Sequence, residues 1–447
     1  MRRTASPLGG LSFVAASLLS WSAAAQEGGL SMVFGIDNRL EVTRNPDLTV
    51  PAEGTRIANV TALSFGLVSD TALDRLELNA SGALIIENPE DAAGTDLDFG
   101  RLALDVAYRR EVPTALFEIG AQYRQDDVAA LGDELSDIDQ TGTLTNYGMD
   151  ARLETGRTAG IGFTVGAGFD VSDYADTTDP DLVDTKRARA DTAAILRFSE
   201  VLTGRLGLRY QREEEDDLGT TVTQTGTAFA GLDYQASERL DLGAELSFER
   251  IETEVADVVT ITDGTEGRLS LAYDMPVGTA TAELRSTTDA DEGRRITFEI
   301  GRALEAPGYT LDARLGVTRN DATGTDLTGA IDWVRAGPEN RLALGVERSV
   351  SYDSDLDAGI NRTVFTLSLA QLVSDRGQVS LDLSHALEDS PAERIRQTEV
   401  EAVYRHQLTE DWDLAGGVTY RVRDDIDGRA ESPGIFLSLS RSFTGSF

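Results

Sequence analysis

His385 follows Ser384, with Asp382, Glu388 and Asp389 close by, and a hydroxyl, an imidazole and a carboxylate are the parts of a nucleophile, a base and its orienting acid. The segment around them alternates polar and apolar residues, so Ser384 and His385 project to opposite faces of a strand and cannot pair. The other histidine, His406, stands two residues after Tyr404 on the apolar parity, where a residue at a membrane interface is the simpler account. Gly160, Gly162, Gly166 and Gly168 evoke phosphate loops, but no Lys-Ser or Lys-Thr follows them, and strand glycines explain them better. What remains is carboxylate chemistry. Glu213-Glu214-Glu215-Asp216-Asp217, Asp353-Ser354-Asp355-Leu356-Asp357 and Asp424-Asp425-Ile426-Asp427 are dense in oxygen ligands for divalent cations. They lack the spacing and turn glycine of an EF-hand loop, so solvated acidic loops are the plainer reading. These residues lead us to expect neither an enzyme nor a cofactor.

The elements that carry these residues are set by composition and period. The chain has 447 residues, with 77 Asp plus Glu against 40 Lys plus Arg, a formal charge of −37, two His and no Cys. So acidic a chain offers no basic face to phosphates, which excludes nucleic acid as a partner. Without cysteine there is neither a disulfide framework nor a thiolate metal site. At the N-terminus Arg2 and Arg3 precede an uncharged, mostly apolar stretch from Leu8 to Trp21, and Ala23-Ala24-Ala25 supplies small residues for cleavage. Residues 1–25 are therefore expected to be a signal peptide, leaving 26–447 as a single domain.

From residue 30 to residue 443 the pattern has period two. Leu102, Leu104, Val106 and Tyr108 alternate with Arg101, Ala103, Asp105 and Arg109; Leu240, Leu242, Leu246 and Phe248 alternate with Asp241, Gly243, Glu245 and Glu249. We expect about 22 such strands, each with one apolar and one polar face, which suits either sandwiches or a membrane barrel with a wet lumen. Connections alternate in length. Pro113-Thr114, Pro276, Ala306-Pro307 and Gly337-Pro338 are tight, whereas 126–142, 172–184 and 252–263 are long. The longer connections together hold more than half of the 77 acidic residues and none of the 40 basic ones, with Arg124, Arg212, Arg250, Arg294 and Arg394 flanking them. The acidity thus belongs to one rim. Aromatics on the apolar parity fall near strand ends: Tyr123, Tyr210, Phe248 and Tyr420 toward the long loops, Tyr108, Tyr234, Tyr273, Trp333 and Trp412 toward the short turns. A charge on the lipid face at the midplane costs about 2–4 kcal/mol, so the polar parity faces the lumen, with Arg101, Arg205, Arg209, Glu245, Glu283, Arg314 and Arg421 on its wall.

With these features the chain resembles the bacterial outer-membrane β-barrels, an all-β fold of antiparallel up-and-down strands. The resemblance extends to the ending, where Ser432, Gly434, Leu437 and Leu439 follow the spacing of the family's assembly signal and Phe443 and Phe447 are both available to close it. Arg441, on the apolar parity, and Thr444-Gly445-Ser446 before the last Phe depart from that pattern. The resemblance implies periplasmic termini, a Gram-negative outer membrane, lipid and lipopolysaccharide around the barrel, and recognition by the barrel-assembly machinery. It is greatest to large porin-like barrels without a plug, because strands begin by residue 30. It specifies no oligomeric state. The expected function is passive diffusion of small solutes through a channel with an acidic, cation-favouring mouth. Asp126, Asp127, Asp133, Glu134, Asp137 and Asp139 are the candidates for a constricting loop. Two other readings stand beside this one: a conduit for polymer export with a periplasmic partner, and a surface scaffold whose acidic loops hold divalent cations.

Overall fold

A computed structural model describes residues 29–446 apart from 53, 89–95, 129–141, 178–181, 217–218, 257, 290–292, 322–323, 354–357, 392 and 427. Among the described residues its extended elements are all strands. The first quarter of the wall comprises β1 (Gly29–Arg44), β2 (Thr55–Asp70), β3 (Asp74–Asn88), β4 (Asp96–Val112), β5 (Ala115–Asp127) and β6 (Thr143–Thr155). Next come β7 (Ile161–Ala175), β8 (Asp184–Arg197), β9 (Leu202–Asp216), β10 (Thr220–Ser237), β11 (Leu240–Val255) and β12 (Val258–Asp274). They are followed by β13 (Thr279–Asp289), β14 (Gly293–Ala306), β15 (Tyr309–Asn320), β16 (Gly324–Ala336) and β17 (Asn340–Asp353). The wall is completed by β18 (Ala358–Ser374), β19 (Gly377–Asp389), β20 (Arg394–Gln407), β21 (Trp412–Asp425) and β22 (Gly428–Ser446).

Each strand pairs antiparallel with its neighbours in sequence, and β22 returns to β1, with Ser446 opposite Ser31 and Gly434 opposite Thr43. The 22-stranded sheet is therefore closed and has no free edge, as a structure surrounded by hydrocarbon requires. Both ends of the described chain lie on the rim of the short turns. The period-two pattern fixes the register: Leu206, Leu208 and Leu246 stand on the outer face with more than half of their surface exposed, while Arg205, Arg209 and Glu245 point inward. Phe34 and Phe443 meet across the closing pair, ring centroids 5.9 Å apart. On the same outer face Asn38 bonds Asn59 at 3.0 Å and Thr61 at 2.7 Å, so these polar groups satisfy one another.

The ladder is interrupted at three places: between Gln235 and Ser237 of β10, between Leu372 and Ser374 of β18, and in β4. In β4 the pairing with β3 shifts between Ser81↔Ala103 and Ala83↔Gly100, so Gly82 faces two residues, and Arg101 takes a φ of 55°. This β-bulge lets Leu97 and Phe99 share the outer face with Leu102 and Leu104 despite the change of parity. The strands run from 11 to 19 residues, and most exceed the roughly 9–11 needed to cross a bilayer. The expected loop at 252–263 is in fact mostly strand, because Val258-Val259-Thr260-Ile261-Thr262 is rich in β-branched residues. β22 likewise begins at Gly428. Much of the acidity therefore sits on protruding hairpins rather than on irregular loops.

Candidate functional site

The inner wall is a lattice of paired charges. Arg205 in β9 lies 3.1 Å from Asp233 in β10 and 3.9 Å from Glu245 in β11, and Arg209 reaches the same Glu245 at 3.4 Å while lying over the Phe229 ring at 4.1 Å. Farther round, Glu283 of β13 holds Arg268 at 2.7 Å and Arg285 at 3.2 Å. The spacing follows from register: inward residues two strands apart on one row are within reach of a guanidinium. Between these groups the wall forms a recess of about 540 Å³ lined by Asp233, Asp241, Glu283 and Glu299 with Arg268 among them, so carboxylates outnumber cations there. Arg314, on the same parity, lies 3.5 Å from Asp312. Arg101 occupies the bulge of β4 rather than a regular wall position.

The second feature is at the mouth. In β18 to β22, toward the long-connection rim, inward-facing side chains are buried: Ile360, Ala386, Ile395, Arg423 and Ala430, with Ile395 only 1% exposed. Val364 packs against Ala386 and Ile395. The turn after β1 takes part in this collar. Asn45 is fully buried, its side-chain amide donating to the backbone oxygens of Thr49 and Glu431 and its oxygen accepting from the Thr49 amide and hydroxyl, while Leu48 is buried beside it. Arg421 donates to the Pro46 backbone oxygen and lies 3.4 Å from the Ser432 hydroxyl. Sequence alone pointed to none of Asn45, Leu48, Ile360 or Ile395. Asn-Pro-Asp after β1 is a turn signal, but nothing in it says that the turn leans inward.

For the proposed constriction, Asp126 and Asp127 close β5 opposite Leu144 and Thr143 on opposite faces of the sheet. Asp133, Glu134, Asp137 and Asp139 lie outside the described residues. The acidic run of β9 is divided by strand alternation: Glu213 turns inward to Arg187 at 3.0 Å, while Glu214 and Asp216 turn outward, Glu214 to Arg212 and Asp216 to Lys186 at 3.4 Å. Among the described residues no group of three or more His, Asp or Glu side chains is placed to hold a metal. Ser384 faces inward toward Glu399 while His385 faces outward, bonded to Thr398 at 2.8 Å, and His406 stacks on Tyr404. On the last strand Ser432 and Gly434 face inward, Leu437, Leu439, Arg441 and Phe443 outward, and Phe447 lies outside the described residues.

No family model matches the sequence, and no curated protein matches it. Solved structures do. The chain superposes on the ferric-catecholate import receptor Fiu of E. coli K12 with a TM-score of 0.62 at 11% identity, covering 92% of this chain and 81% of that one. For the FrpB iron transporter of Neisseria meningitidis the values are 0.64 and 7%, covering 94% and 82%. For the copper transporter OprC they are 0.60 and 12%, covering 94% and 81%. The fold is that of the TonB-dependent outer-membrane receptors. The apolar outer face suits a barrel surrounded by membrane lipid. The neighbours are import receptors and transporters rather than enzymes or passive channels, which overturns the expectation of porin-type diffusion. That expectation failed because alternation and strand number describe the wall of a barrel and say nothing of what occupies it.

Proposed function

We propose that this chain forms the membrane barrel of an outer-membrane import receptor whose substrate is a small cationic or neutral metal complex. The observation that carries the reading is closure at 22 strands in the fold shared with iron and copper transporters. The sign of the substrate's charge follows from electrostatics: acidic hairpins ring the long-connection rim, and a second carboxylate-rich region, the recess at Asp233, Asp241, Glu283 and Glu299, lines the wall toward the short turns. An anionic chelate meets repulsion at both places. In this reading the short-turn rim is periplasmic, the wall residues Arg205, Arg209, Glu245 and Glu283 line the path, and Asp126 and Asp127 belong to the entrance. A barrel of 22 strands is too wide to stay selective when empty, so this reading requires a filling element in the lumen.

The test is uptake of radiolabelled iron and copper, free and as complexes of different charge, by a deletion strain and its complemented parent, with and without a protonophore. Energy-dependent uptake that is lost in the deletion strain and favours cationic or neutral species supports the proposal. Uptake that is unchanged by deletion, insensitive to the protonophore, or restricted to anionic complexes overturns it.

A further inference from the structure

Closure leaves no free edge at the level of the hydrocarbon, but beyond it some neighbouring strands part. β12 pairs with β11 along its whole length, from Val255↔Val258 to Leu240↔Tyr273. With β13 it pairs only from Gly267↔Ser286 to Asp274↔Thr279, so on that side Val258 to Glu266 have no strand partner among the described residues. Thr288 marks the divergence: its side chain fills the space beside Gly264, and its backbone amide donates to the Glu266 carboxylate at 3.4 Å. There β13 turns into β14, Asp289 opposite Gly293, while the β11–β12 hairpin rises farther. Val258 to Asp263 thus form an open edge at the long-connection rim.

Two other overhangs are covered. β22 outruns β1 above Gly434, and there the Asn45 side-chain amide donates to the Glu431 backbone oxygen. β16 parts from β17 above Gly329, and the Arg348 guanidinium donates to the Leu327 backbone oxygen at 3.1 Å. Among the described residues no such group reaches the backbone of Val258 to Asp263. This edge also lacks the residues that usually protect one: Val258-Val259-Thr260-Ile261-Thr262 contains no Lys, Pro or Gly, and Val258, Val259 and Ile261 are exposed. Alternate residues of such a strand turn their N–H and C=O groups away from β11, where a further strand can take them. The hairpin's charge selects that strand. On the outward face Glu254 lies opposite Val259, Glu252 opposite Ile261 and Arg250 opposite Asp263, three carboxylates to one guanidinium, while the inward side of the edge is Val258, Thr260 and Thr262. An added strand with Lys or Arg on its outward parity and β-branched residues on the other matches both faces. A second copy does not fit. Two barrels in one membrane are related by an axis along its normal, which brings their edges together in the same sense with like backbone groups opposed.

We propose that the β12 edge from Val258 to Asp263 receives an extended, basic segment of a partner protein as an added strand. The inference is independent of what the barrel imports. The experiment is fluorescence anisotropy of the full chain, refolded in a non-ionic detergent, with three labelled eight-residue peptides: alternating Val and Lys, alternating Val and Glu, and the Val–Lys peptide N-methylated throughout, which keeps side chains and charge but removes the edge donors. The Val–Lys peptide should bind. The methylated peptide should bind at least about tenfold less, as expected for the loss of several backbone hydrogen bonds, and the acidic peptide should also bind at least about tenfold less. Because the chain has no cysteine, the place of binding can be read directly. Under mild oxidation Thr260→Cys should form a disulfide with a Val–Lys peptide carrying one Cys, and Thr220→Cys, on a strand paired on both sides, should not. Heat-modifiable migration shows that each variant has folded, and Thr262→Cys replaces Thr260→Cys where it has not. Failure of the Val–Lys peptide to bind, equal binding of the methylated or the acidic peptide, or equal cross-linking at Thr220→Cys would each overturn the proposal. A dimer cross-linked through Thr260→Cys in the absence of peptide would assign the edge to a second copy and overturn it as well.

Discussion

Arg421 in β21 donates a hydrogen bond to the backbone oxygen of Pro46, 375 residues earlier, and so ties the last hairpin of the barrel to its first turn. The bond holds the β1–β2 connection inward over the collar. Removing the guanidinium with Arg421→Ala should release residues 45–52 without opening the barrel, at a cost of about 1.5–3 kcal/mol typical of a hydrogen bond to a charged group. Hydrogen exchange of the refolded protein should show faster exchange confined to this turn. Unchanged protection there would mean the buried Asn45 network suffices alone.

The collar itself should be sensitive to volume. Ile395 is almost completely buried against Ala386 and Val364, and truncation to alanine should cost about 2–5 kcal/mol if the surroundings cannot relax. Thermal unfolding followed by gel mobility is the measurement. Leu208→Ala, on the exposed outer face, serves as the comparison and should shift the transition much less.

Glu245 is shared by Arg205 and Arg209 on a wetted wall. Pairs so exposed contribute about 1 kcal/mol or less, so Glu245→Gln should leave stability nearly unchanged while making the path more positive. In the uptake assay, cationic complexes should enter more slowly in this variant. Unaltered uptake would remove these residues from the path.

At the tip of the β19–β20 hairpin, the Arg394 guanidinium bonds the Asp389 carboxylate and holds it below its ordinary pKa of 3.8. A carboxyl lowered on folding stabilises the folded form above its ordinary value, and the benefit disappears as pH falls through the lowered one. Being almost fully exposed, the pair should matter little to global stability. Its signature is local: in Arg394→Gln the Asp389 titration, read by carboxyl NMR, should move up toward the ordinary value. An unmoved titration would show that the pair does not persist in solution.

Much of the wall was legible because a strand in a membrane barrel must alternate, and Leu206, Leu208 and Tyr210 between Arg205, Arg209 and Gln211 leave one register that suits lipid and water. The same rule places Ser384 and His385 on opposite faces from the sequence alone. Strand ends were less legible: beyond the bilayer Val258 to Thr262 can pair as readily as they can loop, and only the partner strand decides. The collar was not legible at all, since the inward lean of Pro46 depends on an arginine hundreds of residues away. The distinction between a porin and a receptor depends on the lumen's contents, on which the wall residues are silent.

Phe443 and Phe34 meet on the outer face of the closing strand pair, where an aromatic contact adds about 0.5–1.5 kcal/mol beyond its buried area. Phe443→Ala should therefore lower the fraction of barrel recovered in folded form. Quantifying heat-modifiable protein after assembly into vesicles checks this, and recovery equal to wild type would shift the role to other residues of the last strand.

The bulge of β4 gives that strand a built-in half-step. Because Gly82 faces two residues, Arg101 is surplus to the ladder, and its deletion leaves an unbroken strand with Leu97, Phe99, Leu102 and Leu104 on one side. Loss of Ala103 instead offers no such repair, since a regular strand would then turn Arg101 out to the lipid and Leu102 in to the water. β4 can thus shorten by one residue at position 101 and remain right side out, which makes this a point of length tolerance within the membrane-crossing part of the strand.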